Sequence, residues 1–131
     1  MRRYLIGYLV ILVVYVVIDA VWLSQVAIDL YQEGIGALMA PTPNWIAAGL
    51  FYLLYPIGLL VFAIGGQDRT SQIAARAALF GFMAYMTYDL TNLATLRDWP
   101  VGLSIIDMTW GAVLSAISAS LGWLIMKKSK A

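Results

Sequence analysis

The chain lacks cysteine and histidine altogether. It therefore has no disulfide, no thiol nucleophile and no histidine proton relay, and it lacks the usual ligands of zinc and haem. Charged residues make up only 11% of the 131 residues, whereas hydrophobic residues make up 63%. Soluble domains carry roughly 25% charged residues, so this composition predicts an integral membrane protein. We expect no cofactor, no metal and no nucleic-acid partner, and the bilayer itself as the first partner.

Four apolar stretches, at about residues 4–27, 45–64, 73–96 and 101–126, dominate the sequence. Each is long enough to cross a bilayer as a helix, which takes about 20 residues. Period-two alternation is absent from these stretches, and helices satisfy their own backbone groups in lipid. The sequence therefore predicts an all-α fold in one domain, residues 1–131: an integral membrane four-helix bundle. Asn44 is placed to cap the second helix.

Lysine and arginine are distributed unequally between the links. With the N-terminus in the cytoplasm, seven of the eight basic residues fall on the inside and only Arg97 falls outside. Basic residues accumulate on the cytoplasmic side of membrane proteins. We therefore expect cytoplasmic N- and C-termini and a multi-pass protein of the cell inner (cytoplasmic) membrane. The seven inside residues are Arg2, Arg3, Arg69, Arg76, Lys127, Lys128 and Lys130.

Three aspartates, Asp19, Asp89 and Asp107, interrupt the apolar stretches. A carboxylate at such a depth costs at least a few kcal/mol, so it is a functional-site hypothesis by default. At about 1.5 Å of rise per residue, all three fall roughly 6–12 Å in from the outer ends of their helices. The sequence therefore predicts one polar layer in the outer half of the bilayer.

Aromatic and amide side chains accompany these carboxylates. Asp-x-x-Trp occurs in the first and fourth stretches, and residues three apart share a helix face. Phenols at the same level of the second and third stretches would need partners for their hydroxyls. The candidate ligand-binding residues are Asp19, Trp22, Tyr52, Tyr55, Tyr88, Asp89, Asn92, Asp107 and Trp110. Aromatic residues nearer the span ends, Tyr4, Tyr31, Trp45, Trp99 and Trp123, are expected to be interfacial anchors.

The carboxylates have a plainer interpretation as well. Each could accept hydrogen bonds across helices and fix packing, although such bonds are worth only about 0.6 kcal/mol in membranes. Three like charges without an interior Lys or Arg cannot all ionise together, so a proton or a bound cation would have to neutralise some of them. Small residues at Gly111, Ser115, Ser118 and Gly122 predict close helix packing.

Several stretches together resemble a family of short bacterial membrane proteins known as domain of unknown function 2177. The resemblance covers nearly the whole chain and implies a four-helix membrane protein with no assigned activity. The stretches that carry it are Tyr8 to Leu23, Asn44 to Phe62, Ala84 to Asn92, Arg97-Asp98-Trp99-Pro100 and Asp107 to Gly111.

Three classes of function fit the sequence. The first is binding or transport of a cation, proton or amphiphile, because carboxylates beside aromatic rings attract cations. A homodimer is expected in that case, since four helices make only a narrow pathway. The second is a structural or accessory subunit of a membrane complex. The third is an intramembrane enzyme that processes a lipid or isoprenoid with Asp acid/base chemistry.

Overall fold

A computed structural model describes residues 1–129, and over that range the chain is all-helical with no strand. Lys130, which the charge count places in the cytoplasm, lies outside the described residues. The five α-helices of the described part are α1 (Arg2–Val21), α2 (Ile28–Ile35), α3 (Trp45–Gly58), α4 (Thr70–Thr95) and α5 (Val101–Lys128).

Three helical segments of the described part are long and apolar enough to cross a membrane: Arg2–Val26, Trp45–Ile64 and Val101–Lys128. They correspond to the first, second and fourth predicted stretches. The third stretch forms α4, whose 26 residues span about 39 Å at 1.5 Å per residue. It is long enough to cross, but its composition is more polar than that of the other three.

Two of the spanning segments end in π-helical turns. Trp22–Val26 continues α1 directly after the turn that carries Asp19, and Leu59–Ile64 continues α3 after Pro56. A π turn accommodates an extra residue and leaves backbone groups in unusual positions, often near functional sites. Pro56 accounts for the local change in α3, because proline has no N–H to donate to the preceding turn.

Helix α5 is the centre of the packing and contacts α1, α2, α4 and the π-helical end of α3. Its buried positions recur at steps of three and four residues, as one continuous helix face requires. All four predicted small residues, Gly111, Ser115, Ser118 and Gly122, lie on that buried face. Their predicted role in packing is confirmed by these positions.

Helices α4 and α5 approach each other closely at Gly81. A Cβ atom there would lie 2.2 Å from the carbonyl oxygen of Gly111 and 2.3 Å from the Ser115 hydroxyl. Gly111 in turn makes room for the ring of Tyr85, which would lie 2.3 Å from an added Cβ. Small residues therefore set the α4–α5 distance and admit one large aromatic side chain between the helices.

The link between α1 and α3 folds over the N-terminal end of α5. Helix α2 is followed by a 3-10 turn, Gly36–Leu38, and Gly34 lies so close to Pro100 that an added Cβ would be 2.9 Å from its ring. The Asn44 side chain accepts a hydrogen bond from the Ala47 N–H (3.1 Å), so the predicted cap of α3 is confirmed. This link brings Tyr31 inward, towards α5.

We predict that Gly81→Ala lowers the free energy of unfolding by about 1–3 kcal/mol, the usual effect of overpacking a tight contact. The nearest atom is the backbone carbonyl oxygen of Gly111, and the next ones belong to the short, fully buried side chain of Ser115, so neither neighbour can move away easily. Gly49→Ala is the matched control, because nothing lies within 4 Å of an added Cβ there. Unfolding in mixed micelles measures both variants, and equal losses would contradict the close α4–α5 contact.

Candidate functional site

Asp19 lies at a junction of three helices with both of its oxygens occupied. Its Oδ2 accepts a hydrogen bond from the Tyr52 hydroxyl (2.5 Å), and its Oδ1 accepts one from the indole N–H of Trp110 (3.0 Å). The side chain is only 6% exposed. Two neutral donors compensate for the loss of water around this carboxylate. Asp19 thereby links α1 to α3 and α5.

Trp22 and Trp110 form a stacked pair, with ring centroids 4.2 Å apart and planes 8° from parallel. The indole beside Asp19 is therefore the one from α5 and not, as the Asp-x-x-Trp spacing predicts, its own neighbour Trp22. The reason is that α1 and α5 are antiparallel: α1 continues from Asp19 to Trp22 in one direction along the bundle, and α5 continues from Asp107 to Trp110 in the opposite direction. The two indoles meet at one level between the carboxylates.

Asp89 and Asp107 form a second acidic cluster between α4 and α5, where the two carboxyl groups lie close enough to interact. Among residues 1–129, no N–H or O–H group donates to either oxygen of Asp89, which is 1% exposed. A contact between carboxyl groups becomes a hydrogen bond only when one of them carries a proton. This pair is therefore suited to hold a proton.

Tyr31 of α2 donates its hydroxyl proton to Oδ1 of Asp107 (2.6 Å). Burial, and then the hydrogen bond to Asp107, raise the pKa of Tyr31 above its ordinary value, so the phenol remains a donor at neutral pH. The prediction that Tyr31 is an interfacial anchor is wrong, because the side chain turns inward. Its hydroxyl also lies near the Trp22 indole, whose buried N–H has no hydrogen bond of normal geometry in the described part.

A group of phenols separates the two acidic clusters. The hydroxyls of Tyr15 and Tyr85 are hydrogen-bonded to each other, and Tyr15 is completely buried. Tyr55 packs on Tyr15 with centroids 4.8 Å apart and shares a hydrogen bond with Ser115 Oγ (2.7 Å). Tyr85 lies close enough to interact electrostatically with both Asp19 and Asp107. The clusters are therefore neighbours in one polar region rather than a single site.

A groove of about 430 Å³ opens beside Asp107. Its walls come from α2, α3, α4, α5 and the π turn after α1 and are largely aromatic, with Asp107 as the acidic group in the lining. The lining residues are Leu23, Tyr31, Phe51, Ala84, Tyr85, Tyr88 and Asp107. The size and the mixture of aromatic walls with a single charged group are typical of small-molecule sites.

The remaining candidate residues lie around these two clusters. Tyr88 is 51% exposed and packs edge-on against Trp99 at the mouth of the groove. Asn92 is partly exposed on α4, and its side chain takes part in no hydrogen bond within the described residues. The structure thus gathers Asp19, Tyr52, Trp22 and Trp110 in one cluster, and Asp89 with Asp107 in the other. No group of three acidic side chains in residues 1–129 could hold a metal ion.

Several residues of the site, among them Tyr31 and Tyr85, are absent from the predicted set. Tyr31 is a donor to Asp107, and Tyr85 lines the groove. Tyr85 lies four residues before Asp89, and this spacing was available in the sequence. Tyr31 carried no such signal, because its contact depends on how the α1–α3 link folds back over α5.

These features define a helical membrane protein with buried acidic and aromatic clusters. The family described as "Predicted membrane protein (DUF2177)" matches residues 4–124, which is most of the chain. The protein therefore belongs to this family, as the sequence resemblance indicated. No curated protein and no solved structure matches the chain.

We predict that Tyr52→Phe lowers the free energy of unfolding by about 1.5–3 kcal/mol, the usual loss for a hydrogen bond to a charged group. Tyr8→Phe is the matched control, because the Tyr8 hydroxyl donates to a neutral acceptor, the Leu53 carbonyl (2.7 Å). Tyr8→Phe should lower the free energy of unfolding by only about 0.6 kcal/mol. Unfolding in mixed micelles gives both values.

Measuring the effect of Tyr52→Phe on the free energy of unfolding in an Asp19→Asn background isolates the interaction between Tyr52 and Asp19. The effect of Tyr52→Phe should shrink there, since the acceptor has lost its charge. An undiminished effect would show that Tyr52 stabilises the protein through ring packing rather than through Asp19.

Proposed function

We propose that this protein binds a hydrophobic organic cation, such as the charged end of an amphiphile, in the groove beside Asp107. We propose further that a proton leaves the Asp89–Asp107 pair when the cation enters. The observation that carries the proposal is Asp89, a buried carboxyl with no donor in the described part of the chain, next to a second carboxyl on the groove wall.

The charge of the pair supports a site for a cation. Two carboxyl groups in contact cannot both ionise without a compensating charge, because like charges repel strongly in an apolar environment. The hydrogen bonds of residues 1–129 supply no Lys or Arg donor to either one; the donor to Asp107 is the neutral Tyr31. One shared proton leaves a single negative charge, and a cation can replace that proton.

The walls of the groove favour an organic cation over a metal ion. Four aromatic residues, Tyr31, Phe51, Tyr85 and Tyr88, line it together with one carboxylate. Aromatic faces attract ammonium-type cations, and a desolvated contact adds about 2 kcal/mol. The volume of about 430 Å³ lies within the roughly 300–1,000 Å³ of small-molecule pockets. Exchange of a cation for a proton is also the elementary step of proton-coupled transport.

Two other functions compete with this one. A structural subunit of a membrane complex would use both acidic clusters for packing, as Asp19 already does with Tyr52 and Trp110. A lipid- or isoprenoid-processing enzyme would use the Asp89–Asp107 pair as an acid and a base. The tests below separate the three, because only the binding function requires competition between a cation and a proton.

We also propose that α4 crosses the membrane, which gives a four-helix bundle with both termini in the cytoplasm of a multi-pass inner-membrane protein. The polarity of α4 comes in part from threonines whose hydroxyls already donate to carbonyls one turn back. Thr87 donates to Met83 (2.8 Å), Thr91 to Thr87, and Thr95 to Thr91 (2.9 Å). Such hydroxyls need no water, so these residues are compatible with lipid.

We expect tetraphenylphosphonium, a hydrophobic cation, to bind the purified protein in nanodiscs of neutral lipid. The affinity should rise by up to about tenfold per pH unit between about pH 6 and about pH 8, because one proton leaves as one cation enters. Asp107→Asn should weaken binding about tenfold or more, since a bond to a charged group is lost, and should abolish the pH dependence. Equilibrium binding of the labelled cation measures both.

The matched control is Asp29→Asn, the same change at an exposed position of α2, which should bind like the wild type. Asp107→Glu keeps the charge and should retain pH-dependent binding if the fold is intact. Equal affinity at all pH values would contradict the proposal. Normal binding by folded Asp107→Asn would assign Asp107 to packing instead.

The absence of cysteine makes the topology directly measurable with single introduced thiols. Ser71→Cys, at the start of α4, should react with a membrane-impermeant maleimide only after the cells are opened. Arg97→Cys, after the end of α4, should react in intact cells. Removal of Arg97 does not weaken the excess of basic residues on the inside. The same result for both thiols, whether reaction in intact cells or reaction only after the cells are opened, would show that α4 does not cross.

A further inference from the structure

We infer that this protein carries a second binding site, for an anionic phospholipid, in a groove between α4 and the π-helical end of α3. The groove has a volume of about 440 Å³ and is lined by Phe62, Arg76, Leu79, Phe80 and Met83. Arg76 is its one charged lining residue. The inference rests on this groove alone and is independent of the cation site at Asp107.

The π turn of Leu59–Ile64 supplies the hydrogen-bond acceptor that orients the side chain of Arg76. Its Nε donates to the carbonyl oxygen of Phe62 (3.0 Å), a backbone acceptor within that turn. This hydrogen bond orients the guanidinium and occupies only one of its five N–H groups. In residues 1–129, the terminal amino groups of Arg76 have no hydrogen-bond partner. Their planar fork matches two phosphate oxygens at once.

The position of Arg76 along α4 favours a lipid phosphate. Arg76 comes six residues after Thr70, where α4 begins, which is about 9 Å of helical rise. A long basic side chain at that depth reaches back towards the headgroups with its charged end. Basic pockets between helices on the cytoplasmic side bind anionic headgroups, and the excess of basic residues places this end of α4 in the cytoplasmic leaflet.

The rest of the groove fits an acyl chain. Leu79 and Phe80 come three and four residues after Arg76, and Met83 comes four and three residues after them, so the four residues form one stripe about 10 Å long. Phe62 stacks on Phe80 with centroids 5.8 Å apart and planes 17° from parallel. Leu79 and Phe62 are 63% and 59% exposed, so the apolar wall opens outward, where a lipid chain would lie along it.

Native mass spectrometry of the whole protein in a neutral detergent tests the inference. After delipidation, phosphatidylglycerol should rebind with a stoichiometry of one per chain, at a concentration at least about tenfold lower than phosphatidylcholine. Arg76→Gln should abolish this preference. Arg69→Gln is the matched control, because it removes the same charge from an exposed residue at the same end of α4, and it should keep the preference.

A second variant keeps the test valid if Arg76→Gln fails to fold. Leu79→Trp fills the groove and leaves Arg76 in place, so it should lose the bound lipid as well. Leu50→Trp, at an exposed position on α3, should retain it. Equal loss in Arg69→Gln would overturn the inference in favour of unspecific attraction. Displacement of the lipid by inorganic phosphate alone would overturn it in favour of a free-anion site.

Discussion

A carboxylate within an apolar helical bundle must be compensated, and this requirement shapes the polar region of the protein. Water is not available there, so each acidic group needs a donor, a proton or a cation. Asp19 has two neutral donors, Tyr52 and Trp110. Asp107 has one, Tyr31, and Asp89 has none in the described part of the chain. The three carboxyls are therefore compensated to different degrees, and the least compensated pair lies beside the groove.

The packing of α5 makes this arrangement possible. Gly81 and Gly111 bring α4 and α5 together, which is how Asp89 and Asp107 come into reach of each other. The same glycine, Gly111, leaves space for the ring of Tyr85, whose hydroxyl bonds to Tyr15 on α1. Close helix contact and a polar interior thus have one cause, because a larger residue at either glycine would separate the acidic pair and displace the phenol.

Much of the fold could be predicted from the sequence, because apolar length, caps and small-residue spacing are local properties. The starts of α3 and α5, the Asn44 cap and the buried stripe of α5 all followed from such patterns. The partners of the carboxylates could not be predicted in the same way. Asp-x-x-Trp spacing assigns Trp110 to Asp107, yet antiparallel packing brings it to Asp19. Tyr31 contacts Asp107 only because the link between α1 and α3 folds back over α5. Helical periodicity does not predict such a contact.

The contrast between Asp19 and Asp107 also bears on which ligand the proposed site would take. Each oxygen of Asp19 already accepts a hydrogen bond, from Tyr52 or from Trp110, so a ligand would have to compete with these donors for the carboxylate. Asp107 keeps one oxygen that Tyr31 does not use, and its neighbour Asp89 keeps two. A neutral ligand would leave the repulsion within that pair unchanged, and an anion would increase it. Only a cation or a proton lowers the energy of the pair, and the aromatic walls distinguish the two by favouring a cation large enough to contact them.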